Sequence, residues 1–316
     1  MSGTPRVVCI GIATVDAIVA VERLPASDER VPGLDGRLAG GGVAATAAVT
    51  LARLGVATAF VGRVGDDGTG RWIRDELDRE GVDVAGLRLT AARSPVSVVL
   101  IEAASGLRSL APYLGDGAPI EPGPAELAAA AAADWVHLDD LGLAVLPTLA
   151  GAGIRTPVSV DDGIGVRDVG LDAVALYAPT ERVLRARFPG ATLEASLEAA
   201  LAAGPRLVAA TLGEAGSVAA ERMPSGRVVH HRAAPFAIPV ASTLGAGDVF
   251  HGGLLAALVA GRPVGEALRR ANATAALACR ALDGRSAIPT LDELDAFLAA
   301  AGGGGPHGTE THDAPT

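Results

Sequence analysis

The chain has 316 residues, a formal net charge of −10 and a 49% hydrophobic content, a size and composition that suit one large or two small globular domains with a core needing no staples. The acidic balance argues against a nucleic-acid partner. All 26 basic residues are arginine, which excludes chemistry that needs an amine: a P-loop lysine, a protein-kinase strand lysine, a pyridoxal Schiff base.

In chain order, "RVVCIGIATVD" (6–16) reads as an apolar strand ending on a carboxylate, and 17–24 as a second strand. "GGGVAATAAVTLARLG" (40–55) is a glycine turn followed by a small-residue helix closed by Gly55. A strand is expected at 57–65 and a helix at 68–81. Strand-like runs recur at 96–102, 134–139, 156–160, 172–177 and 206–212, with helical runs such as 124–133 and 193–203 between them. That alternation implies a largely parallel, buried sheet with helices on both faces. The last third reads as helices at 246–260, 263–281 and 290–301, and 302–316 has the composition of a disordered tail. Cys9 and Cys279 are expected as free buried thiols. With no leader pattern and no run of 18 apolar residues, a cytoplasmic protein without membrane partners is expected.

Ligands of open α/β sheets sit at the carboxyl ends of the strands. Three glycine turns fall there, at 40–42, 213–216 and 245–247. In "STLGAGDVFHGG" (242–253), Gly245 and Gly247 allow a tight turn whose N–H groups converge at a helix start, an anion site that needs no lysine. Asp248 in that place is a helix cap or a general base. Asp16 reads as a solvated turn residue or as a bidentate acceptor for two hydroxyls of a polyol. "AGGG" (39–42) and "TLGEAG" (211–216) read equally as plain connections or as walls around a ligand.

Together these segments resemble the ribokinase-like (PfkB-type) carbohydrate kinases over roughly residues 6–300. The resemblance rests on "GGGVAATAAVTLARLG" followed by "FVGRVGDDGTG", on "STLGAGDVFHGGLLAAL", and on "TERVL", "TLGEAG" and "ANATAALACRALDGRSAIP" in the family's order. It implies a ribokinase-like α/β sandwich with a largely parallel central sheet flanked by helices and a small β-lid. Residues 1–301 would form the kinase domain, with the lid mainly at about 14–38 and 93–112. It also implies ATP- and Mg²⁺-dependent phosphorylation of a sugar hydroxyl. Asp248 matches the catalytic base, and the N–H groups of Gly245, Ala246 and Gly247 match the anion hole. Asp16, Gly41 and Gly42 match the sugar site, with Arg108 reaching from the lid. Thr211, Gly213, Gly216 and Asn272 match the nucleotide wall. Glu181 matches an acid that organises Mg²⁺ through water. The family implies a possible homodimer formed through the lid.

The chain departs from the family pattern at four places. Val43 and Thr46 stand where many members carry substrate-contacting asparagines, and Ala178 replaces the Asn of the Asn-x-x-Glu segment. Ser242 stands where an Asp often helps to hold a monovalent cation, so such an ion is doubtful here. Rival expectations are a nucleoside kinase, a kinase of an anionic sugar phosphate or sulfonated sugar using Arg30, Arg93 or Arg108, and a non-catalytic ligand sensor on the same fold.

Overall fold

The computed structural model describes residues 6–116, 119–163 and 170–302. The first apolar run does not continue to Asp16. It forms β1 (Arg6–Ile10), breaks at 11–13, and resumes as β2 (Thr14–Val21) in a different sheet. The break is made by a distant residue: the Asp139 carboxylate accepts from Ile12 N at 2.7 Å and Ala44 N at 3.2 Å, pulling the chain out of extension. Asp16 is therefore the third residue of β2 rather than the end of the first strand.

Next come β3 (Gly33–Gly41), α1 (Val43–Arg53), β4 (Ala57–Gly65), α2 (Gly68–Arg79), β5 (Asp83–Thr90), β6 (Val96–Glu102) and β7 (Arg108–Tyr113). Asp67 caps α2 by accepting from Gly70 N at 2.8 Å, and its other oxygen accepts from Ser94 N at 3.0 Å. Then follow α3 (Pro124–Ala132), β8 (Trp135–Leu138), α4 (Leu146–Gly151), β9 (Val158–Asp162), β10 (Leu176–Pro179), α5 (Glu181–Arg187) and α6 (Leu193–Ala202). The chain closes with β11 (Leu207–Thr211), β12 (Ser217–Arg222), β13 (Val228–Ala233), α7 (Ala246–Val259), α8 (Val264–Ala278) and α9 (Leu291–Gly302). Gly302 ends the last helix; 303–316, most of the expected tail, lie outside the described residues.

The larger sheet has the order β13-β12-β11-β10-β9-β8-β1-β4-β5. It is parallel from β11 to β5, and β12 and β13 extend it antiparallel. β1 shows why the strands read as continuous apolar runs. Val7 and Cys9 pack with α1, α7 and α8 on one face, and Val8 and Ile10 pack with α4 and α6 on the other. Cys9 and Cys279 are both free and buried.

The smaller sheet has the order β3-β2-β6-β7. Ile18, Val99 and Ile101 on one face pack with Leu244 of the glycine turn before α7. Leu38 and Val98, across Ala17 on the opposite face, stand 67% and 52% exposed. Among the described residues no helix is long and apolar enough to cross a membrane.

Candidate active site

The site is built where the carboxyl ends of β1, β8 and β9 meet the start of α7 and the smaller sheet. Gly245 precedes α7 with φ +72°, a left-handed conformation that a side chain would resist. Of the three N–H groups expected to form the cradle, that of Ala246 donates to Thr243 O at 3.3 Å, so it is partly engaged. No backbone acceptor among the described residues takes those of Gly245 and Gly247. A Cβ built at Gly247 meets nothing within 4 Å, so the space before the turn is open.

Asp248 lies in the first turn of α7 and is half-buried. Burial first, then the Asp161 charge, push its carboxyl up to about 7, against the opposing pull of His251 and Arg108. A carboxyl that only capped the helix would gain nothing from that environment, whereas a base working near neutral pH would.

Asp161 bonds His251 Nδ1, and both are buried. Burial opposes charge on His251, but Asp161, Asp248 and Asp140 together raise its pKa. Asp140, beside β8, is pushed up to about 8 by burial and by Asp161, Asp162, Asp139 and Asp248, and its Oδ1 has no hydrogen-bond partner among the described residues. Neither Asp161, Asp140 nor His251 was among the expected site residues. The sequence signal was there: "LDD" at 138–140 and "VDD" at 160–162 both close buried strands with paired acids.

In the smaller sheet, Asp16 is buried and accepts from Thr14 Oγ1 at 2.7 Å. A Cβ on Gly41 would fall 2.2 Å from Asp16 Oδ2, so only glycine lets this backbone lie against the carboxylate. Gly42 caps α1 with φ +92°, and Val43 opens the helix half-buried. Thr46 does not offer its hydroxyl to a ligand. It is 2% exposed and accepts from Arg285 Nε at 3.1 Å. Arg285, itself buried, also donates to Glu76 Oε2 and Gly41 O, each at 2.6 Å, and so braces the glycine turn from behind. Arg108 Nη1 donates to Thr243 Oγ1 at 2.8 Å, joining β7 to the cradle turn.

At the end of β11 stands Thr211, Gly213 begins a short 3₁₀ turn, and Gly216 closes that turn just before β12. Asn272 Nδ2 donates to Ala233 O and Ala234 O at 3.1 and 3.0 Å, so its amide hydrogens are spent on backbone. Glu181 pairs with Arg185 at 2.8 Å, and Ala178 lies in register with Asp161. Ser242 is buried, and its hydroxyl accepts from Leu244 N at 3.0 Å, closing the turn. Among the expected lid cations, Arg30 is exposed and Arg93 pairs with Asp116 at 3.1 Å.

A half-buried carboxyl behind open N–H groups at a helix start, beside a small second sheet, is an arrangement that suits phosphoryl transfer to a small molecule. The model of the pfkB family carbohydrate kinases matches residues 4–156 and 170–291. The chain is 34% identical over 304 residues to the ATP-dependent ribose-1-phosphate kinase of Halopiger xanaduensis, covering 93% of this chain and 98% of that one. It is 33% identical over 300 residues to a fructokinase of Klebsiella pneumoniae, covering 85% and 95%. The structure of Arabidopsis thaliana ribokinase with ribose and ATP superposes with a TM-score of 0.78 at 27% identity, covering 93% and 98%. The chain belongs to the pfkB family of carbohydrate kinases.

Proposed function

We propose that this carbohydrate kinase transfers the γ-phosphoryl group of ATP to a hydroxyl of a small sugar held between the smaller sheet and the 40–42 turn. The observation that carries this is Asp248, placed directly behind the open N–H groups of the cradle and held up to about 7. Asp248 accepts the hydroxyl proton while the sugar oxygen forms its bond to phosphorus and the bond to the leaving ADP oxygen breaks. The N–H groups of Gly245 and Gly247 stabilise the charge on the moving phosphoryl group. Asp16 accepts sugar hydroxyls beside Gly41 and Gly42, and Thr211, Gly213 and Gly216 line the nucleotide side, with Asn272 fixing the wall. Mg²⁺, when bound, neutralises phosphate charge. Glu181 would organise it through water; among the described residues no three His, Cys, Asp or Glu side chains cluster to hold a metal ion directly. The exposed Leu38 and Val98 support self-association through the smaller sheet.

A second reading, phosphorylation of an already anionic sugar, is favoured by the likeness to a ribose-1-phosphate kinase. Both are tested by a panel of free sugars, sugar phosphates and nucleosides, read as ATP-dependent ADP release. Turnover of sugars supports the proposal. ATP binding with no turnover across the panel would instead identify a sensor.

A further inference from the structure

Residues 283–286, in the turn after α8, touch both halves of the site. A Cβ built on Gly245 would fall 3.0 Å from Gly284 Cα, and one built on Gly284 would fall 3.2 Å from Leu244 O. Gly284 and the cradle turn therefore lie backbone against backbone. The next residue, Arg285, donates from Nη2 to Gly41 O at 2.6 Å. Two consecutive residues thus reach the cradle and the 40–42 turn.

The turn is fixed from several sides. Asp283 Oδ1 accepts from Arg285 N at 3.0 Å and from Ser286 N at 2.6 Å. Arg37, on the same strand β3 that ends at Gly41, donates to Asp283 Oδ2 at 3.3 Å. Arg53 of α1 donates to Arg285 O at 3.0 Å. Arg285 is itself buried, and it donates to Glu76 Oε2 of α2 at 2.6 Å and to Thr46 Oγ1 of α1 at 3.1 Å. A Cβ on Gly40 would collide with both Arg285 Nη1 and Glu76 Oε2, so the ion pair lies directly against the glycine turn.

A buried ion pair gains little net stability over apolar groups of the same volume. This one supplies direction instead. A planar guanidinium with donors at fixed angles reaches α1, α2 and Gly41 O at once.

We propose that the 283–286 turn is a spacer that sets the distance between the 40–42 turn and the cradle, with Arg285 as its positioning residue. The proposal rests on the kinase reading, which gives the 40–42 turn to the sugar and the 245–247 turn to the phosphoryl group. Arg285 stands behind the glycine turn, so it acts on alignment. Transfer needs the attacking oxygen in line with the bond that breaks, and a small misplacement lowers kcat steeply. ATP on the nucleotide side keeps its affinity.

The test uses kcat and KM on the sugar that the panel identifies, ATP affinity and stoichiometry by calorimetry, and the unfolding midpoint. Arg285→Met alone would leave Glu76 buried and unpaired, so the informative variant is Arg285→Met with Glu76→Leu, which replaces the pair by apolar groups. Its kcat falls about 10- to 100-fold while ATP affinity stays within about twofold, and Arg285→Lys recovers part of the loss. Gly284→Ala probes the other end of the spacer. Gly284 has no positive φ, so the added methyl strains only its contact with Leu244 and Gly245. There kcat falls severalfold with little change in sugar KM, and this variant decides alone if the double variant does not fold. A folded variant with wild-type kcat overturns the spacer and leaves the kinase standing. Loss of kcat only in proportion to the fraction of chains that bind ATP makes Arg285 a merely structural residue and overturns the proposal too. A wild-type chain that turns over no sugar removes the kinase reading first and the spacer with it.

Discussion

Arg108 of the smaller sheet donates from Nη1 to Thr243 Oγ1 at 2.8 Å. The bond crosses from β7 to the residue that begins the cradle turn, and Leu244, the next residue, packs under Ile18, Val99 and Ile101. The smaller sheet and the cradle turn are therefore joined in this structure.

Removing the latch should loosen closure without dismantling the cradle. An exposed charge-assisted bond of this kind contributes about 1 kcal/mol, so Arg108→Ala should raise the sugar KM roughly two- to tenfold. It should also raise ATP hydrolysis relative to transfer, because a looser lid admits water. Assaying ADP release with and without sugar measures both. Unchanged KM and unchanged coupling would show the bond to be incidental.

As the proposed base, Asp248 would set the pH dependence. A base acts when ionised, and burial with Asp161 holds this carboxyl up to about 7 in the free protein. Consequently kcat/KM should climb with pH through about 7 and level off above it. His251→Asn removes a positive neighbour, which raises the Asp248 pKa further and moves that limb to higher pH. A profile flat between about pH 5 and 8, or a limb that moves to lower pH in the variant, would contradict the assignment.

The same burial has a stability consequence. Asp140, Asp248 and Asp139 are pushed up to about 8, about 7 and about 6 from the ordinary carboxylate value of 3.8. A raised carboxyl binds more protons folded than unfolded, so the stability of the ligand-free protein falls as pH rises through that window. Asp140→Asn should raise the thermal midpoint at about pH 8.5, where wild-type Asp140 must ionise, and do so less at about pH 5. Equal shifts at both pH values would remove the ionisation argument.

Ser242 has a local job. Its buried hydroxyl holds Leu244 N, and the Ala241 and Ser242 N–H groups reach Cys279 O at 2.8 and 3.3 Å. Ser242→Ala should cost about 0.5–1.5 kcal/mol in unfolding free energy through the lost bond. A neutral hydroxyl already engaged in a turn makes a poor cation ligand, so activity should differ little between K⁺ and Na⁺. Strong K⁺ activation lost in Ser242→Ala would contradict this.

The cradle was legible because its parts are contiguous: Gly245, Ala246, Gly247 and Asp248 sit in one turn, and helix and turn chemistry act locally. The parallel strands were legible from their unbroken apolar runs. The break between β1 and β2 was not, since Asp139 imposes it from 127 residues away. β7 escaped because all its residues are exposed and one is proline, and β13 escaped because its "VVHHRA" is a half-polar edge. Thr46 stands at a place that contacts substrate in many family members, and nothing local shows that Arg285 takes its hydroxyl. Asp161 and His251 meet only when β9 and α7 pack, 90 residues apart.

The most direct measurement is ATP-dependent turnover of Asp248→Asn on whichever sugar the panel identifies, together with its ATP affinity. The amide keeps the shape and the helix position but cannot take the hydroxyl proton. Turnover should fall by roughly 10²- to 10⁴-fold with ATP binding retained. Turnover within a few-fold of wild type would make Asp248 a helix-start residue and leave the proposed mechanism without its base.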